Sequence, residues 1–199
     1  MSEKTKNFLL TVLIVGLVSM TIAYASLTQI LNINAGAKVI GKDASWDIHF
    51  DDLVGPNTTG YAEVEPGDEP DITGVTSLEN LMVTLKAPGD SVSYELDIDN
   101  DGAIGAKIAN NGVFISDPVN ANYNGASAAD EALVKANLYF TIKYKGTDTT
   151  PAAGDVIAAG AKRTIVITIG YSDTATDMPT NTVTVTGLNA HIDFEQQNS

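Results

Sequence analysis

Apolar residues recur at every second position over most of this chain, the spacing of strands that bury one face and wet the other. From Leu27 the odd positions read Leu27, Gln29, Leu31, Ile33, Ala35, Ala37 and Val39, apolar in six of seven, while only Ile30 and Ile40 are apolar among the even positions 28 to 40. A long half-buried strand is predicted there. The same alternation returns in Trp46, Ile48 and Phe50; in Leu81, Val83 and Leu85; in Val92, Tyr94, Leu96 and Ile98; and in Ile104, Ala106 and Ile108. It continues in Leu138 to Tyr144, Ile165 to Tyr171, Val183 with Val185, and Leu188 to Phe194, so nine or ten strands are expected. In the last stretch the buried parity changes from odd to even across Gly187, which calls for a bulge or a tight bend.

Pro66-Gly67-Asp68, Pro88-Gly89-Asp90, Asn100-Asp101-Gly102 and Asn110-Asn111-Gly112 supply residues that accept the positive φ of a tight reversal, which predicts a mostly antiparallel arrangement. One helix is predicted from Ser127 to Ala136, opened by Ser127 and Asp130 in the manner of a capping box. Loops are expected at 54 to 77, 117 to 126, 146 to 160 and 172 to 181, where Thr, Asn, Asp, Gly and Pro concentrate. No linker or internal repeat divides the chain. The predicted fold is all-β: a jelly-roll-like β-sandwich forming one domain from residue 26 to 199.

The first 25 residues are different. Lys4 and Lys6 precede an apolar run from Phe8 to Ala25 that only Thr11, Gly16, Ser19 and Thr21 interrupt. Ala23-Tyr24-Ala25 puts small residues where a signal peptidase reads them, so a cleavable apolar helix ending before Ser26 is expected. A retained anchor is the competing reading, because the apolar run lies at the short end of what spans a bilayer. Membrane contact is expected only through the uncleaved leader. The product is expected outside the cell, in a matrix or at the cell surface.

Charge narrows the choice of partners. With 11 Lys and Arg against 25 Asp and Glu the chain carries a formal charge of -14, which repels phosphate backbones, so nucleic acid is not an expected partner. Cleavage after Ala25 would leave 174 residues at net -15. The absence of Cys excludes disulfides, thiolate nucleophiles and Cys-ligated metals.

No residue pattern calls for catalysis. The two histidines, His49 and His191, stand at odd positions in strands whose even positions are apolar, so both should face solvent or the rim. Chelation by the pair would need them adjacent, with Asp47 or Asp193 on the same face. Neither H-E-x-x-H nor G-x-S-x-G occurs. Asp97, Asp99 and Asp101, followed by Gly102, imitate the start of a calcium loop, but Ile108 stands where the bidentate carboxylate belongs, and a hairpin turn with acidic flanks is the preferred reading. Otherwise no cofactor is expected. Asn57-Thr58-Thr59 is a glycosylation-type triplet.

The leader ending Ala23-Tyr24-Ala25 with the strand after it, the segment APGDSVSYELDIDNDGAIGAKI from Ala87 to Ile108, and the lack of Cys together resemble the TasA and camelysin family of exported biofilm-matrix fibre proteins. Archaeal bundling pili are similar in the same respects. The resemblance implies leader removal by a signal peptidase of the SipW type, a jelly roll, and homopolymers in which the N-terminal strand of one subunit completes the sheet of the next. It also brings the camelysin branch's classification as metalloproteases, which the missing zinc motif leaves without ligands here. The strand at 26 to 40, with Leu27, Leu31, Ile33, Ala35, Ala37 and Val39, is therefore the candidate donor. Burial of its side chains does not by itself outweigh the cost of ordering it, so the neighbour must present a preformed groove. The alternatives are pairing of this strand within its own sandwich, and a monomeric cell-surface adhesin or binding module, with or without calcium. A hydrolase is a third class.

Overall fold

The strongest period-two segments pair with one another. A computed structural model describes residues 29–33, 46–73, 77–79 and 81–197. In chain order its strands are β1 (Gln29–Ile33), β2 (Ile48–Thr59), β3 (Asp71–Thr73), β4 (Ser77–Glu79), β5 (Ser91–Asn100) and β6 (Ala106–Ile115). After a 3-10 turn at Pro118–Asn120 follow β7 (Asn122–Asn124), the helix α1 (Ala128–Asn137), β8 (Leu138–Tyr144), β9 (Val156–Ile157), β10 (Ala161–Tyr171), β11 (Thr184–Thr186) and β12 (Ala190–Gln196). One sheet runs β2-β5-β10-β8, a second runs β3-β4-β1-β12-β6-β9, and β11 pairs with β7 as a separate ribbon. Every pairing is antiparallel except β1 with β4. The β-sandwich expected from the alternation is the fold.

The core lies between the two large sheets. Ile165, Ile167 and Ile169 of β10 stand opposite Leu96, Tyr94 and Val92 of β5 and opposite Tyr144, Ile142 and Phe140 of β8. From the other sheet Ala106, Ile108, Ala190, Ile192 and Phe194 close one cluster with these residues, except Val92 and Tyr94, which pack with Ala62 in a second, smaller cluster. All of these are buried. Each fully buried large side chain contributes about 1.5–3 kcal/mol, so these in-register rows supply most of the drive to fold.

Turn chemistry sets the ends of β5. At Ala87 to Asp90 the chain reverses with Gly89 at φ 86°, Asp90 N donating to Ala87 O at 3.1 Å. The Asp90 carboxylate is buried and accepts from Lys86 N at 2.7 Å, Ala87 N at 2.8 Å and Tyr61 N at 2.8 Å. Burial alone would raise this carboxyl; the three backbone donors and the Lys86 charge outweigh it and hold it below the ordinary value. At the other end Asn100 is 1% exposed, and its amide donates to Ile104 O and Ile157 O at 3.0 Å while its oxygen accepts from Gly102 N at 3.2 Å.

Several expectations change. Asn100-Asp101-Gly102 does not close a hairpin: β5 and β6 belong to different sheets, and the turn is an arch between them that the Asn100 amide ties to β9. Asn110-Asn111-Gly112 lies inside β6, where Ile192 pairs with Val113 and Phe194 with Ile108, so that four residues bulge against one. Asn111 takes the positive φ of 59° that the bulge requires. The segment expected as a loop from residue 54 begins as a continuation of β2, kept in the sheet through two register shifts and a cis Gly55-Pro56 bond. Residues 81–85 alternate in burial as expected but, among the described residues, gain only a bridge, Thr84 to Glu63.

The helix forms where expected. Ser127 Oγ accepts from Asp130 N at 3.1 Å, and Glu131 pairs with Lys135 at 2.6 Å one turn on. The buried Asp130 carboxylate accepts from Thr180 N at 2.7 Å and Asn181 Nδ2 at 3.1 Å, which ties α1 to the 172–183 loop, and these bonds together with the Ser127 hydroxyl keep its pKa low against burial. Gly187, at φ 84°, is the bend between β11 and β12.

Candidate functional site

Two places gather the residues singled out from sequence. The first is β1. It pairs with β12 through Gln29↔Phe194, Leu31↔Ile192 and Ile33↔Ala190, and with β4 through Asn32↔Ser77 and Ile33↔Leu78. The odd residues of the candidate donor are thus in register with three fully buried positions of the terminal strand. β1, the first of the described strands, holds an interior place in the six-stranded sheet, with β4 on one side and β12 on the other. Leu27, Ala35, Ala37 and Val39, and the leader with Ala23, Ala25 and Ser26, lie outside the described residues.

The second place is the outer face of the four-stranded sheet at the start of β2. His49 and His191 are half-buried, as their parity implies, but they stand on different sheets and do not form a pair. His49 Nδ1 lies 3.3 Å from Asp47 Oδ1, and its Nε2 lies 3.9 Å from Asp101 Oδ2. His191 stacks on Phe114 with ring centroids 5.2 Å apart, and its Nε2 is 4.0 Å from Asp193 Oδ2. Burial pushes the Asp193 carboxyl up, against the pull of His191.

The three aspartates of the calcium-like stretch do not converge. Asp97 and Asp99 lie within extended β5, where alternate residues are roughly 6–7 Å apart. Asp97 is bound by Lys162 Nζ at 2.7 Å and by the Thr164 hydroxyl. Burial raises its pKa, but those two bonds and the lysine charges lower it further than burial lifts it. Asp99, opposite His49 in the ladder, is pushed up: burial is the largest cause, and the neighbouring Asp97 and Asp51 charges add to it against the pull of Lys162 and His49. Only Asp101, in the arch, meets the histidine. Asn57 is exposed in the edge strand β2, opposite Ser93.

A cleft of about 650 Å³ opens between residues 81–86 and 178–188, with Val134, Ile169 and Tyr171 also lining it. Sequence reading did not find it, since it is made by segments distant in the chain. The buried Asn100 and Asp90 were likewise read only as turn residues; their placement beside Gly was the available signal for the caps they form. Among the described residues no helix is long and apolar enough to cross a membrane. No protein-family model, curated protein or solved structure matches the chain.

Proposed function

We propose that the protein is an exported structural subunit of an extracellular biofilm-matrix or pilus-like fibre, polymerising when the N-terminal strand of one copy takes the β1 place in the next. Within the single chain β1 pairs in its own sandwich, the arrangement set against donation above; what supports the exchange reading is the interior position that this strand occupies. β1, the first of the described strands, separates β4 from β12, and its withdrawal bares a backbone edge on each. Exchange between copies restores the same register, so the two arrangements differ little in local contacts. They differ in chain connection and subunit concentration, which is the balance that governs strand swapping. In a lone copy the place is filled from within; in a fibre it is filled by the neighbour.

The absence of Cys makes a direct test available. Asn32 and His191 are ladder partners, so an Asn32→Cys/His191→Cys protein can close a disulfide wherever β1 sits in a β12 slot. With exchange, leader-processed protein forms filaments in electron micrographs, and oxidation gives a ladder of covalent multimers on a non-reducing gel. Oxidised monomer alone, within intact filaments, would end the strand-exchange reading. Deleting Ser26 to Val39, or introducing Leu31→Asp with Ile33→Asp, is expected to abolish filaments. A second reading, a monomeric surface adhesin or binding module, draws on the 650 Å³ cleft; processed protein that stays monomeric at all concentrations would favour it.

A further inference from the structure

The 650 Å³ cleft lies at one end of the sandwich. Ile169, Tyr171 and Leu138, which line it, stand at the Ser91 end of β5, where Ile169 pairs with Val92 and Tyr171 with Leu138. One wall is residues 81–86; the other, residues 178–188, includes β11. Both walls offer main chain. In the bridge to Glu63, Thr84 N donates at 2.8 Å and Thr84 O accepts at 2.9 Å, so the main-chain groups of Val83 and Leu85 point to the opposite edge. β11 pairs with β7 alone among the described residues.

These walls prolong the β1 place. β4 and β12 flank β1, residues 81–86 follow β4, and residues 183–188 precede β12. A strand that continues beyond Ile33, parallel to β4 and antiparallel to β12, therefore runs between the two walls. The parity that sets Leu31 and Ile33 against Ile192 and Ala190 carries Ala35, Ala37 and Val39 to the same side, small residues over the larger Leu138, Ile169 and Tyr171.

Chain length decides which copy can supply such a strand. Trp46 and Ile48 belong to the opposite end, since Ile48 pairs with Asn100, the last residue of β5. β5 is ten residues long, so about 30 Å separates the two ends. Ile33 and Trp46 are thirteen residues apart in sequence, and at about 3.3–3.6 Å each some nine of these are spent on the return. The few left do not fill a cleft whose walls run from 81 to 86 and from 183 to 188. A strand handed over by a second copy makes no such return; it runs straight through and leads out to its own body.

We infer that the cleft receives residues 34–40 of a second copy, in line with that copy's β1. This rests on the exchange reading and deepens it: the acceptor is the β1 place and the cleft together, about twice the length of β1 alone.

The test places a photo-crosslinker, Met82→p-benzoylphenylalanine, at an exposed position of the cleft wall in leader-processed protein mixed from light and nitrogen-15-labelled chains. Illumination of filaments followed by mass spectrometry should join position 82 to residues 34–40, with light chains linked to heavy ones. Ala37→Trp, too bulky for the cleft, should reduce filament mass at least tenfold and leave the melting temperature of the monomer unchanged. Filaments that show the covalent ladder of the Asn32→Cys/His191→Cys protein, yet cross-link position 82 elsewhere or only within one chain, would overturn the cleft assignment and leave exchange standing. Undiminished filaments with Ala37→Trp would do the same. Protein that stays monomeric throughout would overturn both.

Discussion

Asp90→Asn isolates what one buried charge contributes to the fold. The carboxylate accepts three backbone donors at 2.7–2.8 Å, from Tyr61, Lys86 and Ala87. An amide of the same size has a single acceptor oxygen. In its better orientation that oxygen keeps Lys86 N and Ala87 N, and Tyr61 N is left facing a donor. Removing the charged acceptor of the part-buried Tyr61 N–H costs about 1–3 kcal/mol, and exchanging two charged acceptor bonds for neutral ones costs about 1 kcal/mol each. The expected loss is about 3–5 kcal/mol, a large fraction of a typical domain's stability. Urea unfolding at pH 7, followed by fluorescence of Trp46, measures it. The pH dependence supplies a second check. The folded carboxyl is depressed, so its contribution is complete above the unfolded value of about 3.9 and is lost as pH falls through the folded value. Wild-type stability should therefore fall more steeply on acidification than that of the variant. A loss below 1 kcal/mol at pH 7, or parallel acid profiles, would refute the assignment of these bonds.

Three further outcomes can be checked. Asn100→Ala removes the buried amide that joins the arch to β9, and about 2–4 kcal/mol should disappear in a thermal or urea melt. Gly112→Ala places a Cβ 2.8 Å from Asp193 O and 2.9 Å from Ala109 O, both main chain, and should cost about 1–3 kcal/mol by the same assay. The Tyr94 phenol is pushed up to about 12 by burial, with the Glu69 charge in the same direction. Its stabilising contribution is complete below the unfolded value of about 10 and is lost as pH rises through 12, so a Tyr94→Phe protein should lose less stability than wild type over that interval.

Residues 92–98 and 165–171 were readable as strands because each carries one continuous apolar face, and that face survives in the ladder with little irregularity. Residues 81–85 show where such reading stops: their alternation reflects burial against the core, while a ladder also needs a partner backbone, which local sequence does not encode. The Asn-x-Gly signals were right about local conformation and silent about its use. Asn111 does take a positive φ, but within a bulge, since the apolar parity on either side of it can be joined without leaving the sheet. At the rim, the outward parity of His49 was legible, whereas its meeting with Asp101 depends on the β5–β6 connection crossing between sheets. The register of Leu31 and Ile33 against Ile192 and Ala190 follows from matching parity; which copy supplies them does not.

The outermost strands carry a consequence for growth. Among the described residues the six-stranded sheet ends in β3 and in β9, two residues long, and the four-stranded sheet ends in the irregular β2 and in β8, which bears Lys143. Short, kinked or charged margins are poor templates for a passing chain. Molecules of this shape resist sticking side by side into rafts. A thread made by handing one ribbon forward at a time would lengthen in single file, without branching or thickening.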